Sequence, residues 1–298
     1  MWIRFFIDYL RYERNLSEHT IAGYEADLKE FERFYKGLDD ELTWNDVDAD
    51  VVRQWEVSIM ERGSKASSVG RRLSALRTFY RFLLKRKFVD KDPAHLVRAP
   101  KKEKPLPCYV RESEINKLLD GGFFPNSFEG HRDRTILLTF YSTGIRLSEL
   151  IGLKVSDVDL GQMQLRVTGK RNKQRLVPYG QELSVSLREY LTERAELLAR
   201  MRFETDFVFV DERRGGSMES GCVRLMVKHY LSFVTTQQKR SPHVLRHSFA
   251  TSMLNHHADL QSVKELLGHE SLSTTKVYTH ASFEELKEVY MQAHPRAK

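Results

Sequence analysis

Residues 95–110 read HLVRAPKKEKPLPCYV, with three prolines and four lysines or arginines ahead of Cys108. A proline ring fixes φ, removes a backbone donor and disfavours helix in the residue before it. A helix or a central strand is therefore not expected to run through this stretch. It reads as an extended linker over residues 99–110 that divides the chain near residue 100. The rest must fold as separate bodies on either side, 1–98 and 111–298. A length of 298 residues suits about two domains. A hydrophobic content of 41% is enough for each to build a core.

The part before the linker has helical periodicity. In LSEHTIAGYEADLKEFERFY, Ser17 is a candidate N-cap, and Ile21, Tyr24, Leu28, Phe31 and Tyr35 recur in steps of three and four. SSVGRRLSALRTFYRFLLKRK repeats the pattern with Val69, Leu73, Leu76, Tyr80 and Leu83. Its other face carries Arg71, Ser74, Thr78, Arg81 and Lys85, either a solvated charge stripe or a face for a nucleic-acid backbone. TWNDVDADVVRQWEVSIMERG supplies a further helix between them. A compact bundle of about four short helices follows.

The part after the linker is mixed. HRDRTILLTFYSTG predicts a helix with Gly144 at the C′ position. In MQLRVTGKRNKQRLVPY, Leu165 and Val167 alternate with polar residues, Thr168 to Asn172 turn, and Leu176 and Val177 return. That is a β-hairpin with a basic tip. Helices follow through Leu245–Leu254 and through Val263–Leu267, the second closed by Gly268. The last is expected over Phe283–Ala293, with SFEE at 282–285 as its capping box. The predicted fold class is mainly α: an N-terminal helical bundle plus a mixed α/β domain with a small antiparallel β-sheet.

A net charge of +7 favours a polyanionic partner. The two cysteines, Cys108 and Cys222, lack the C-x-x-C spacing of a zinc site and imply no disulfide framework. The start, MWIRFFIDYLRYERNL, is broken by Arg4, Asp8 and Arg11 and has no cleavage site, so it does not read as a signal peptide. No apolar run approaches the roughly 20 residues of a membrane span. A cytoplasmic protein without membrane attachment is expected. There is no Walker loop or G-x-G-x-x-G, and no acidic cluster of the two-metal kind. His256 and His257 are adjacent and point to different helix faces, a poor metal pair, and His247 reads as structural. Neither metal nor cofactor is expected.

SPHVLRHSFATSML, residues 241–254, sets His243 one helical turn before Arg246 on an otherwise apolar helix. H-x-x-R alone is common. It is accompanied by Arg146 in TGIRLSEL, Lys170 on the hairpin tip, His269 in LLGH, and Tyr278 nine residues later. Singly these have ordinary readings as a surface arginine, a turn lysine, a helix-end histidine and a core tyrosine. Together they form an ordered set: Arg, a hairpin Lys, H-x-x-R, G-H, Tyr. That set resembles the active site of the tyrosine recombinase (phage integrase) family. The resemblance spans nearly the whole chain. LSEHTIAGYEADLKEF and RRLSALRTFYRFL are similar to the family's core-binding domain. TGIRLSELIGLKVSDVD, VTGKRNKQRLVP, HVLRHSFAT and LLGHESLSTTKVYTH are similar to its catalytic domain. The length and the closing VYMQAHPRAK resemble the Xer subgroup, its XerC branch in particular.

The resemblance implies a SAM-like core-binding domain at 1–98 and a catalytic domain at 111–298, closing as a C-shaped clamp on double-stranded DNA. It implies site-specific cutting and rejoining of DNA through a 3′-phosphotyrosine bond, without metal or ATP. Arg146 and Arg246 would clamp the phosphate, since planar guanidiniums offer paired hydrogen bonds to its oxygens. His269 would add a hydrogen bond. Tyr278 would be the nucleophile, a phenol with a pKa of about 10 that must lose its proton as it attacks. His243 would assist as base and Lys170 would protonate the leaving 5′-oxygen. Glu149, one turn from Arg146, would orient a neighbouring cation. Thr20, Lys65, Ser67, Arg71 and Arg72 are the candidate DNA contacts of the first domain. A tetramer on two DNA sites is implied, homomeric or shared with a XerD-like recombinase, with the last helix inserted into a neighbour. An FtsK-like translocase would activate it to resolve chromosome or plasmid dimers. Three alternatives stay open: a phage or transposon integrase, a type IB topoisomerase-like enzyme, and a catalytically inactive DNA-binding protein. The start of the chain, almost directly in the bundle, speaks against the arm-binding integrases.

Overall fold

The steps of three and four after Ser17 become a 21-residue helix in the computed structural model. The structure describes residues 1–101, 108–169, 172–268 and 280–297, and only the backbone of 280–282. The expected linker and the hairpin tip therefore lie partly outside the described residues. Two compact units emerge, Met1–Pro105 and Leu106–Lys298.

The first unit is helical. It comprises α1 (Trp2–Asp8), continued by a π-helical turn over Tyr9–Glu13, then α2 (Glu18–Leu38), α3 (Ala49–Glu61) and α4 (Ala66–Lys85). The Ser17 side chain accepts from the Thr20 amide at 3.3 Å and starts α2, as an N-cap does. Ile21, Leu28, Phe31 and Tyr35 meet Val69, Leu73, Leu76 and Tyr80 of α4 in one core. The third helix is shorter than its sequence suggests. Asp48 accepts from the amides of Asp50 and Val51, so α3 begins only at Ala49. Trp44 and Val47 are buried in the turn before it, where the Tyr80 hydroxyl donates to the Trp44 carbonyl at 3.0 Å.

The second unit builds around α6 (Phe128–Thr143), buried on nearly every side from Arg132 onward. A helix covered all round is a central one, and α6 packs against both α8 (Gln181–Met201) and α10 (Pro242–Asn255). Around these lie α5 (Glu112–Asp120), α7 (Leu147–Ile151), α9 (Ser220–Leu231) and α11 (Leu260–Leu267). The expected hairpin is present as β2 (Gln164–Thr168) and β3 (Gln174–Pro178), antiparallel, with Val167 opposite Arg175. A two-residue strand β1 (Val158–Asp159) makes the order β1-β2-β3. Gly144 ends α6 in the left-handed region at φ 59°, and Gly268 ends α11 at φ 64°. Neither position suits a side chain. A Cβ on Gly144 would stand 2.5 Å from the Phe249 ring.

The last helix differs from expectation at its start. α12 runs His280–Ala293, so it begins ahead of the expected Phe283. Within this single chain its apolar side packs on its own unit. Leu286 and Tyr290 join Phe249, Met253 and Leu266, and Phe283 is 5% exposed. The residues after α12 anchor it. Arg296 donates to Asn116, Asp120 and Glu182, and the Ala297 carbonyl accepts from the Gln181 amide at 3.2 Å. His294 is buried with Nδ1 accepting from the Arg296 amide and Nε2 donating to the Tyr141 carbonyl. Burial pushes its pKa down to about 3. Among the described residues no helix is long and apolar enough to cross a membrane.

Candidate active site

The C-terminal end of α11 organises the site. The last carbonyls of a helix have no partner within it and carry its negative pole. Here three in succession accept from three different arginines. Leu266 O takes Arg175 Nε at 3.1 Å, Leu267 O takes Arg246 Nη2 at 2.7 Å, and Gly268 O takes Arg146 Nη2 at 2.9 Å. The end of α6 contributes a fourth carbonyl, Gly144 O, which accepts from Arg246 Nη1 at 2.5 Å.

The arginines reach this point from separate elements. Arg146 precedes α7 in extended conformation. Arg246 rises from the second turn of α10, a helix begun by Pro242 and fixed by Val244, Leu245, Phe249 and Met253 on its buried side. Arg175 comes from β3. It shares the inner face of the strand with Val177 and stands opposite Val167, both buried.

One buried carboxylate joins two of them. Glu149 accepts from the Arg146 amide at 2.7 Å and from Arg146 Nη1 at 2.8 Å. The Arg175 fork donates to both of its oxygens, at 2.8 and 3.0 Å. Burial works against ionisation of Glu149, but the bonds and charge of Arg175 together with Arg146 outweigh it and hold the carboxyl below its usual range. Arg246 is lowered to about 10, first by burial and then by the charge of Arg146, and is still a cation at neutral pH. The site thus holds three guanidiniums and one carboxylate, a local excess of positive charge held in fixed positions. The Arg146 side chain is 40% exposed while that of Arg175 is 8% exposed, so Arg146 presents the open side. Such a frame suits a tetrahedral oxyanion.

Of the residues singled out in the sequence, Arg146 and Arg246 come together, and Glu149 orients cations as expected. His243 is exposed one turn before Arg246, and its ring has no hydrogen-bond partner among the described residues. Lys170, His269 and Tyr278 lie outside the described residues. Their described neighbours bear on the site all the same. Gly169 carries an ideal Cβ position 3.4 Å from Glu149 Oε1, and Gly268 supplies the carbonyl that holds Arg146. Arg175 is the residue the sequence reading missed. Its signal is an arginine at an inward-facing strand position.

The DNA-contact candidates all belong to the first unit. Thr20, Lys65 and Ser67 are exposed near the starts of α2 and α4. Arg71 forks onto the buried Asp27 of α2 and keeps a side chain 55% exposed. Arg72 donates to Ser64 Oγ at 3.0 Å and pairs with Glu30 at 3.3 Å.

Comparison with known proteins follows the same division. Residues 109–285 match the Phage integrase family, and residues 3–87 match the N-terminal SAM-like domain of phage integrases. A tyrosine recombinase XerC of Pelobacter propionicus is 41% identical over 297 residues, covering 99% of this chain and 96% of that protein. A tyrosine recombinase XerC of Oceanobacillus iheyensis is 38% identical over 302 residues, covering 100% and 97%. Among solved structures, a XerH site-specific recombinase bound to difH substrate in a pre-cleavage complex matches with a TM-score of 0.69. It is 25% identical, over 91% of this chain and 80% of that one.

Proposed function

Since the chain belongs to the phage integrase family of tyrosine recombinases, enzymes that cleave and rejoin DNA at specific sites, we propose that Arg146 and Arg246 clamp the scissile phosphate and that Tyr278 attacks it. The observation that carries this reading is the run of Leu266, Leu267 and Gly268 carbonyls, which fixes both arginines, with Arg175 behind them. A phosphodiester is an anion that repels nucleophiles. Fixed guanidiniums take up the charge that grows on its nonbridging oxygens, and they need no reorganisation as it grows.

The Tyr278 phenol oxygen forms the new bond to phosphorus, and the bond to the 5′-oxygen breaks. His243, exposed one turn from Arg246 and with no ring partner among the described residues, takes the phenolic proton. Lys170 gives a proton to the departing 5′-oxygen, and His269 donates a hydrogen bond to the phosphate. The resulting 3′-phosphotyrosine keeps the phosphodiester energy, so a 5′-hydroxyl from another strand reverses the step without a nucleotide. Thr20, Lys65, Ser67, Arg71 and Arg72 contact the duplex from the first unit.

The reading extends to assembly. The enzyme acts in the cytoplasm as a tetramer on two double-stranded DNA sites, shared with a XerD-like sibling, and an FtsK-like translocase starts the resolution of chromosome dimers. What supports this is kinship with XerC proteins along nearly the whole chain.

Tyr278→Phe removes one oxygen and should leave the fold and DNA affinity unchanged. A nicked suicide substrate should trap a covalent adduct on the wild type and none on the variant. An adduct that persists on the Phe protein moves the nucleophile elsewhere.

A further inference from the structure

Arg175 has no part in the chemistry just described, yet it is more firmly held than either clamp arginine. Its guanidinium donates to both oxygens of Glu149 on α7 and to the Leu266 carbonyl on α11. Its side chain is 8% exposed, too enclosed to serve as a DNA contact. Its stem lies against Gly268, where an added Cβ would stand 3.1 Å from Arg175 Cδ, Nε and Cζ. Arg175 belongs to β3, whose ladder with β2 runs from Gln164↔Pro178 to Thr168↔Gln174. The next residue, Gly169, donates its amide to the Lys173 carbonyl at 2.8 Å. One side chain therefore ties the hairpin to the helix that Arg146 begins and to the end of the helix that precedes His269.

We infer that Arg175 is a positioning residue: it fixes the hairpin on the α7–α11 frame, so that the acid on the hairpin meets the phosphate held by Arg146 and Arg246. The inference rests on the reading of Lys170 as that acid. A lysine at 175 keeps a positive charge beside Glu149 but cannot fork onto both its oxygens while also reaching Leu266. The hairpin then loses its fixed seat while the carboxylate keeps a countercharge.

The experiment compares two substrates under single turnover: ordinary DNA, and DNA with a bridging 5′-phosphorothiolate, whose sulfur leaves without protonation. A positioned acid contributes about 10²–10⁴ in rate. Arg175→Lys should lose about 10² on ordinary DNA and recover most of it on the phosphorothiolate, with half-site affinity unchanged. Arg175→Met, which keeps the stem and drops the charge, should shift the ratio of the two rates in the same direction. That ratio does not depend on how much of the protein is folded, so a merely structural loss leaves it at the wild-type value and overturns the proposal. Lys170→Ala is the reference. If Lys170→Ala is rescued by sulfur and the Arg175 variants are not, the proposal fails and the acid assignment survives. If Lys170→Ala is not rescued, the acid assignment fails and the proposal goes with it.

Discussion

Asp27 in the first unit and Glu149 in the second are both buried carboxylates, 4% and 3% exposed, and each is met by two arginines. The surroundings of those arginines differ. Arg71 forks onto Asp27 with more than half of its side chain in solvent. Arg175 forks onto Glu149 with almost none, and it and Arg146 are tied again to backbone carbonyls of α11. A half-solvated guanidinium keeps N–H donors free for a phosphate while it holds its carboxylate. A buried one with three bonds does not. On the proposed function, the same two residue types would serve a surface for a long polyanion in one unit and a rigid receptor for one phosphate in the other.

This contrast is most exposed at Arg246. Arg246→Ala removes a fixed donor pair from the phosphate site and should slow covalent adduct formation at saturating DNA by about 10²–10³. Affinity for a single half-site should change little. If affinity falls as far as the rate, Arg246 serves binding and the two regions do not differ in kind.

Glu149→Gln comes next and is read in stability. Removing one partner of a buried pair costs about 3–5 kcal/mol, measured by urea unfolding. Asp27→Asn, with a solvated partner, should cost less, about 1.5–3 kcal/mol for hydrogen bonds to a charged group. The acid limb sharpens the comparison. The Glu149 carboxyl titrates below the ordinary value in the folded protein because its arginines outweigh burial. Its stabilisation is complete above the unfolded value of about 4.3 and is lost as pH falls through the lower folded value. The wild-type advantage over Glu149→Gln should therefore shrink on acidification. An advantage that grows there contradicts the ionised assignment.

The smallest effect belongs to Arg71. Arg71→Ala should lower the slope of log affinity against log salt by about 0.9, the share of one phosphate contact. Cleavage at saturating DNA should stay at the wild-type rate. An unchanged slope takes Arg71 out of the backbone contacts.

Local patterns were legible where the physics is local. Ser17 caps α2, Gly144 and Gly268 take the left-handed positions, and the alternation of Leu165 and Val167 is a strand. Trp44 and Val47 misled because an apolar spacing does not distinguish a buried turn from a helix. Trp44 packs against Tyr80, 36 residues away. Ser282 fits a capping box by composition, but α12 starts at His280. The apolar side of α12 was visible, and what covers it was not, since Phe249 and Met253 come from a different helix. In the site, the side chains Arg146, His243 and Arg246 were readable as an ordered set. The carbonyls of Leu266, Leu267 and Gly268 were not, because any residue supplies a carbonyl and only the tertiary fold aims it. Arg175 left a faint mark, a cation on the inner face of β3, where Val177 is apolar.

The proposed function makes one claim before all others: the chain's own fixed cations, and not a metal ion, meet the charge of the reacting phosphate. The direct measurement is the rate of covalent adduct formation by the wild type on a nicked suicide substrate, with and without excess EDTA. Arg146 and Arg246, seated on the end of α11, predict the same rate in both. A rate that collapses on chelation and returns with magnesium would contradict the claim.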